Sequence, residues 1–213
     1  MALTAAEVLA PVSKTLLDSG ENVWTDAELL EYLNNALAAT VLQKHDAFTK
    51  VENVTLAAGS IQVIPADGVE LFDITHNVGD GGTIRQVDKA VLDRSVPGWM
   101  GGTQKAETVH YMTMENMPEK FWVYPPSDGT SIVEMVYGAI PTVESDTSLI
   151  QINDSYADAL YNHVLGSCYS KNSKRGDITK ANMYYGRWAQ AVGITTKTQL
   201  DNAATANPKD SQK

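Results

Sequence analysis

The sequence predicts an α+β fold: a helical bundle formed by the N- and C-terminal helices, with a small antiparallel β domain inserted between them. Three observations carry this. Residues 153–193 read as a helical hairpin, residues 1–50 hold two further helix signatures, and between them apolar spacing changes from helical steps to alternation. The expected division is 1–50 for the N-terminal helices, 51–150 for the β-rich insertion, 151–193 for the C-terminal hairpin and 194–213 for an extended tail.

Thr4 with Glu7 makes a capping box, flanked by Leu3 and Val8 as a staple. Pro11 then removes an amide donor and clashes one turn back. The first helix is therefore expected either to kink within residues 4–18 or to start near Pro11, with Gly20 as its stop. Trp24-Thr25-Asp26-Ala27-Glu28-Leu29 is a cleaner start, with Thr25 as cap and Glu28 as its reciprocal partner. Leu29, Leu33, Ala36, Leu37, Thr40 and Val41 continue one face of that helix to about Asp46.

From Lys50 to Ile150 the signals are strands and turns. Val51, Asn53 and Thr55 alternate, as do Ile61 and Val63, around the turn Ala57-Ala58-Gly59-Ser60. Pro65-Ala66-Asp67-Gly68 is a turn. Residues 71–77 are strand-rich, and Gly79-Asp80-Gly81-Gly82 turns them towards Ile84-Arg85-Gln86-Val87. Residues 92–102 hold Pro97, Gly98, Gly101 and Gly102 and read as a loop carrying Trp99 and Met100. Phe121-Trp122-Val123-Tyr124 and Ile132 to Tyr137, flanking Pro125 to Thr130, read as a hairpin.

Asn153 or Asp154 can cap a helix whose Ala157, Leu160, Tyr161, Val164 and Cys168 share a face. After the turn Asn172 to Gly176, Asp177 caps a second helix with Ala181, Tyr184, Tyr185, Trp188 and Val192 on one side, stopped at Gly193. So short a link predicts antiparallel packing. Gly186, on the second helix, would let a neighbouring backbone come close, although an exposed helical Gly costs roughly 1 kcal/mol against Ala.

Composition sets bounds on function. A chain of 213 residues can bury a core without staples, since chains of this size bury about 70% of their unfolded surface. No stretch approaches the ~18 apolar residues of a membrane span, and the N-terminus has neither the basic start nor the apolar run of a secretory signal. The single cysteine, Cys168, excludes an intramolecular disulfide and a cysteine zinc site, and its helical-face position reads as a core residue. A net charge of −10 argues against wrapping nucleic acid by charge neutralisation. It suits a soluble protein, or a surface along which DNA slides without sticking.

No catalytic, cofactor or metal site emerges. His45, His76, His110 and His163 have neither ligand spacing nor clustered carboxylates. The Asp-Gly pairs at 67–68, 80–81 and 128–129 are turn chemistry. Residues 79–82 lack the helix and the Lys-Ser/Thr of a phosphate loop, and there is no G-x-S-x-G elbow. Lys171, Lys174 and Arg175 at the hairpin tip have two readings: contact with DNA or an acidic partner, or solvated charge favoured by a helix C-terminus. Trp99 and Met100 either pack back on their own sheet or tip an interface. Thr195 to Lys213 has almost no apolar anchor except Leu200 and cannot order itself alone, so it is expected either to be an unstructured end or to order on a partner.

Leu16-Leu17-Asp18 with Trp24 and Leu29-Leu30, Leu56 to Pro65, Val91-Leu92-Asp93 with Pro97 to Met100, Phe121 to Pro126, Val136-Tyr137, Pro141, and Tyr156 to Tyr169 followed by Ala181, Tyr184 and Gly193 come in a particular order. In that order the chain resembles the head-to-tail adaptor (connector) proteins of tailed bacteriophages, from Thr4 to Gly193. The resemblance implies a non-enzymatic virion protein, made in the host cytoplasm and sited at the neck. It would assemble as a ring, in the family twelve copies, joining the portal protein to a tail or nozzle protein. DNA passes through the ring without specific binding, and neither cofactor nor membrane is involved. It further implies that the tail residues Thr195, Lys197, Leu200, Asn207, Pro208 and Lys213 meet the portal. Trp99, Met100, Lys171, Lys174 and Arg175 are the expected subunit or tail contacts. Alternatives are another tail component, such as a nozzle or tail-completion subunit, and a carbohydrate-binding or hydrolase module stacking sugars on Trp99, Trp122 and Tyr124.

Overall fold

A computed structural model describes residues 3–18, 23–79 and 81–194. The chain divides into two compact units, one of Met1–Lys44 with Thr142–Lys213 and one of His45–Pro141.

Among the described residues the first unit holds four α-helices. The first, α1 (Ala5–Leu16), starts at the Thr4–Glu7 capping box, with both reciprocal bonds formed. Pro11 lies inside α1 without ending it, on the exposed side, while Val8, Leu9 and Val12 hold the other side in the core. The helix stops at Leu16, and Leu17 takes the left-handed conformation, φ 52°, that the sequence reading assigned to a glycine stop; Gly20 lies outside the described residues. The second, α2 (Asp26–Gln43), is capped by Thr25 and Glu28 and buries Leu29, Leu33, Ala36, Leu37, Thr40 and Val41. Residues 154–156 form a 3-10 turn capped by Asn153 and lead into a third helix.

The insertion is a pair of packed sheets, not one. Its strands are β1 (Thr49–Thr55), β2 (Gly59–Val63), β3 (Gly68–Asn77), β4 (Arg85–Gln86), β5 (His110–Thr113), β6 (Lys120–Ser127) and β7 (Ile132–Ala139). One sheet has the order β1-β7-β3 and the other β2-β6-β5-β4. All pairs are antiparallel except β4–β5. The sheets share one core in which Phe121 and Val123 meet Val133, Met135 and Tyr137. The expected hairpin of β6 and β7 therefore does not exist. Each of those strands is central in its own sheet, so neither has an open edge for the other. Pro125 and Pro126 also lack the amides that a tight hairpin's ladder would use. The alternating segments at 51–55 and 61–63 likewise go to different sheets.

Residues 92–102 are not all loop. A helix, α3 (Lys89–Ser95), is capped by Asp88 and braced by Lys89–Asp93 at 2.7 Å, and Trp99–Gly101 form a 3-10 turn.

The C-terminal hairpin is α4 (Ala157–Ser170) and α5 (Ile178–Ala191), the latter capped by Asp177 on the amides of Thr179 and Lys180. The helix α4 touches α1, α2 and α5 and is the axis of its unit. It buries Ala159, Leu165 and Gly166 as well as Leu160, Val164 and Cys168, so its apolar surface extends beyond one face. The close approach belongs to Gly166, where a Cβ would lie 2.9 Å from the Tyr185 ring; beside Gly186 there is open space.

Candidate interaction site

The hairpin tip is built for internal fastening. Lys171, just past α4, donates to the Glu28 carboxylate at 2.6 Å and to the Val23 carbonyl at 2.8 Å. The Lys171 hydrogen bond, followed by the Thr25 amide, holds the Glu28 carboxyl below its usual range. Arg175 donates to the Leu16 carbonyl at 3.3 Å and stands 3.7 Å from Asp18. Asp18 accepts from the Val23 and Trp24 amides, and the Trp24 indole N–H donates to the Cys168 carbonyl at 3.2 Å. Two of the three tip cations thus fasten the α4–α5 turn to the α1–α2 connection, and Lys174 is exposed.

Trp99 packs back onto its own sheet. It is 3% exposed, lies with Leu92 and Met112, meets Tyr124 edge-on at 6.2 Å and donates its indole N–H to Asp93 at 2.8 Å. Its burial removes Trp99 as a direct subunit contact in this structure, whereas Met100 is 43% exposed. The same burial dismantles the sugar platform. Trp122 and Tyr124 do share a face, but they pack against the Leu92–Trp99–Met112 cluster, and Lys89 sits 5.6 Å above Trp122. The tail residues Thr195, Lys197, Leu200, Asn207, Pro208 and Lys213 lie outside the described residues.

The shifted titratable groups answer to burial or to partners within the fold. Burial pushes the Cys168 thiol up to about 12 and lowers His163 to about 4. His163 is boxed edge-on by Tyr185 and Trp188 at 5.2 and 5.0 Å. Lys50 bridges Asp67 and Glu52 at 2.9 and 3.0 Å, and Tyr137 donates to Glu52 at 2.7 Å. Among the described residues no three metal-ligating side chains gather around one point, and no helix is long and apolar enough to cross a membrane. A groove of about 730 Å³ beside β5 includes Asp88 and Lys89, but Asp88 caps α3 and Lys89 pairs with Asp93.

Two surfaces of the first unit were missed by sequence reasoning. One is a cleft of about 430 Å³ between α1 and α2, floored by Ala6, Leu9, Ala10, Ala27 and Leu30 and rimmed by Asp26 and Asp146. The other is the outward side of α5. Their signal was present in the charge pattern: residues 18–43 contain acids and no Lys or Arg, and residues 178–193 contain Lys180 and Arg187 and no acid.

No curated protein matches the chain. The family model described as SU10 adaptor protein matches residues 3–210, nearly the whole chain. Phage adaptors are virion structural proteins without catalysis as a rule. The chain belongs to the SU10 adaptor protein family, a family of phage head-to-tail adaptors.

Proposed function

We propose that this chain is the subunit of a ring, twelve copies in the finished particle, that joins the portal to the tail and lines the DNA passage without catalysis. The observation that carries the reading is the adaptor-family match over residues 3–210. The net charge of −10 supports it, because a conduit that repels phosphate does not stall the DNA. In this reading Thr195, Lys197, Leu200, Asn207, Pro208 and Lys213 belong to a tail that engages the portal protein. Met100 and Lys174 are side chains available to a neighbouring subunit or to the tail or nozzle protein.

Negative-stain imaging of particles carrying a tagged chain tests the location. Label at the head–tail junction is expected, and label at the distal tail tip instead would favour a nozzle subunit. Deleting residues 194–213 is expected to abolish portal binding, and unchanged binding refutes the role given to the tail.

A further inference from the structure

Among the described residues, α5 is the least covered of the first unit's four α-helices. Its main neighbour is α4, and within its span only Ala181 is fully buried. Ile178 is 69% and Met183 43% exposed. Gly186 follows Met183 by three residues and is exposed, with nothing within 4 Å of where its Cβ would stand. A helical Gly costs about 1 kcal/mol against Ala, and among the described residues no packing accounts for it. A glycine on an open helix face is explained when another backbone comes close. Arg187, one turn beyond Met183, is exposed on the same side.

The cleft between α1 and α2 has the opposite character. Its floor is small and apolar, its rim carries Asp26 and Asp146, and Glu31 lies one turn beyond Ala27. At about 430 Å³ it has room for roughly fourteen waters, at ~30 Å³ each, which a methionine and the stem of an arginine can replace. In a chain of net charge −10, copies repel one another over most of their surface. An acid-free, basic helix face and a base-free, acidic cleft are where two copies attract.

We propose that the exposed face of α5, centred on Met183, Gly186 and Arg187, docks into the α1–α2 cleft of the next copy of this chain. Met183 fills the apolar floor, Arg187 meets Asp26 and Asp146, and Gly186 admits the neighbouring helix. The contact joins two different surfaces, so each copy offers one of each, as ring closure requires. It rests on the ring reading above and specifies how the copies meet.

Cysteine trapping tests it in the full chain, because the native Cys168 is buried. Differently tagged Ala27→Cys and Met183→Cys chains are mixed and oxidised, and products are read on non-reducing gels beside native mass spectra of the unmodified chain. Heterodimers above the half share given by random pairing are expected. The A27C/M183C double variant is expected to give a ladder beyond dimers, while the control V51C/M183C gives none. Dimers of M183C with itself in excess, or an equal ladder from the control, overturn the docking. Native oligomers without a trapped A27C–M183C pair overturn it and leave the ring reading standing. A chain that is monomeric at every concentration and yields no trapped pair overturns the docking, and the ring reading then stands or falls on the particle imaging.

Discussion

The same substitution, glycine to alanine, made at two places in the C-terminal hairpin should have opposite effects. Alanine favours a helix over glycine by about 1 kcal/mol at an interior position. At Gly186 the new methyl meets nothing within 4 Å, so Gly186→Ala should stabilise the isolated chain by about that amount. At Gly166 the new Cβ would lie 2.9 Å from two atoms of the Tyr185 ring. The ring cannot swing away cheaply, because its hydroxyl bonds Ser167 at 3.1 Å and its edge meets His163. Overpacking of this kind costs about 1–3 kcal/mol. Less the helix gain, Gly166→Ala should destabilise by about 0–2 kcal/mol, leaving about 1–3 kcal/mol between the two variants. Urea unfolding followed by far-ultraviolet circular dichroism measures both. Equal stabilisation by the two substitutions would refute the close packing of α4 on α5 at Gly166. If G186A is stabilised as a monomer but loses A27C–M183C trapping, the glycine is kept for the neighbouring copy rather than for the fold.

His163 is neutral in its aromatic box with a pKa lowered to about 4 by burial, and it titrates near 6.5 when unfolded. The unfolded chain therefore takes up a proton first as pH falls. Stability is complete above about 6.5 and declines towards 4, by about 2 kcal/mol between pH 7 and pH 5. His163→Phe should flatten that slope in urea titrations at the two pH values, and an unchanged slope refutes it. Glu28 behaves in the carboxylate sense: its pKa is lowered, first by the Lys171 hydrogen bond. Its contribution is full above the unfolded value, about 4.3, and is lost as pH falls through the lower folded value. Lys171→Met should weaken the first unit at neutral pH and remove this acid-dependent part, which thermal melts at pH 7 and pH 3 will show. Trp99→Ala should cost about 3–5 kcal/mol by emptying the cluster with Leu92 and Met112. Hydrogen exchange at α3 should rise, whereas Met100→Ala should leave it unchanged.

What could be read from the sequence and what could not follows the range of the interaction. The caps at Thr4, Thr25 and Asp177 were legible because a capping side chain bonds amides two or three residues away. The strands at 51–55, 61–63, 121–124 and 132–137 were legible from composition, but their partners were not. Local pattern cannot tell two strands joined by a turn from two strands entering different sheets. The helix α3 was hidden by Pro97 and the glycines behind it, although Asp88, Lys89 and Asp93 were a usable local signal. At the hairpin tip the charge cluster was plain, but its use was not: Lys171 reaches Glu28 across 143 residues and Arg175 reaches Leu16 across 159. For Trp99 the sequence left open packing on its own sheet or an interface, because the indole partner Asp93 and the floor at Met112 that decide for packing come from flanking elements.

The fastened tip bears directly on how copies could meet. A cation already bonded to a carboxylate in its own chain gains little from a second acid, since the first ion pair must be broken to form the next. Lys171 is in that position, and Arg175 is held by the Leu16 carbonyl with Asp18 3.7 Å away. Lys180 lies over the Tyr169 ring and near Asp177, so it too is partly engaged. The Arg187 guanidinium lies over the Tyr184 ring, 5.5 Å from its centroid, a cation–π contact that does not consume its donors. A planar guanidinium held this way can bond a carboxylate from another copy while keeping its aromatic support. Arg187→Lys should therefore weaken trapping between the A27C and M183C chains almost as much as Arg187→Ala, because lysine keeps the charge but loses the planar fork. Full retention of trapping by R187K would mean that charge alone recruits the neighbour, and the geometric part of the docking would have to be abandoned.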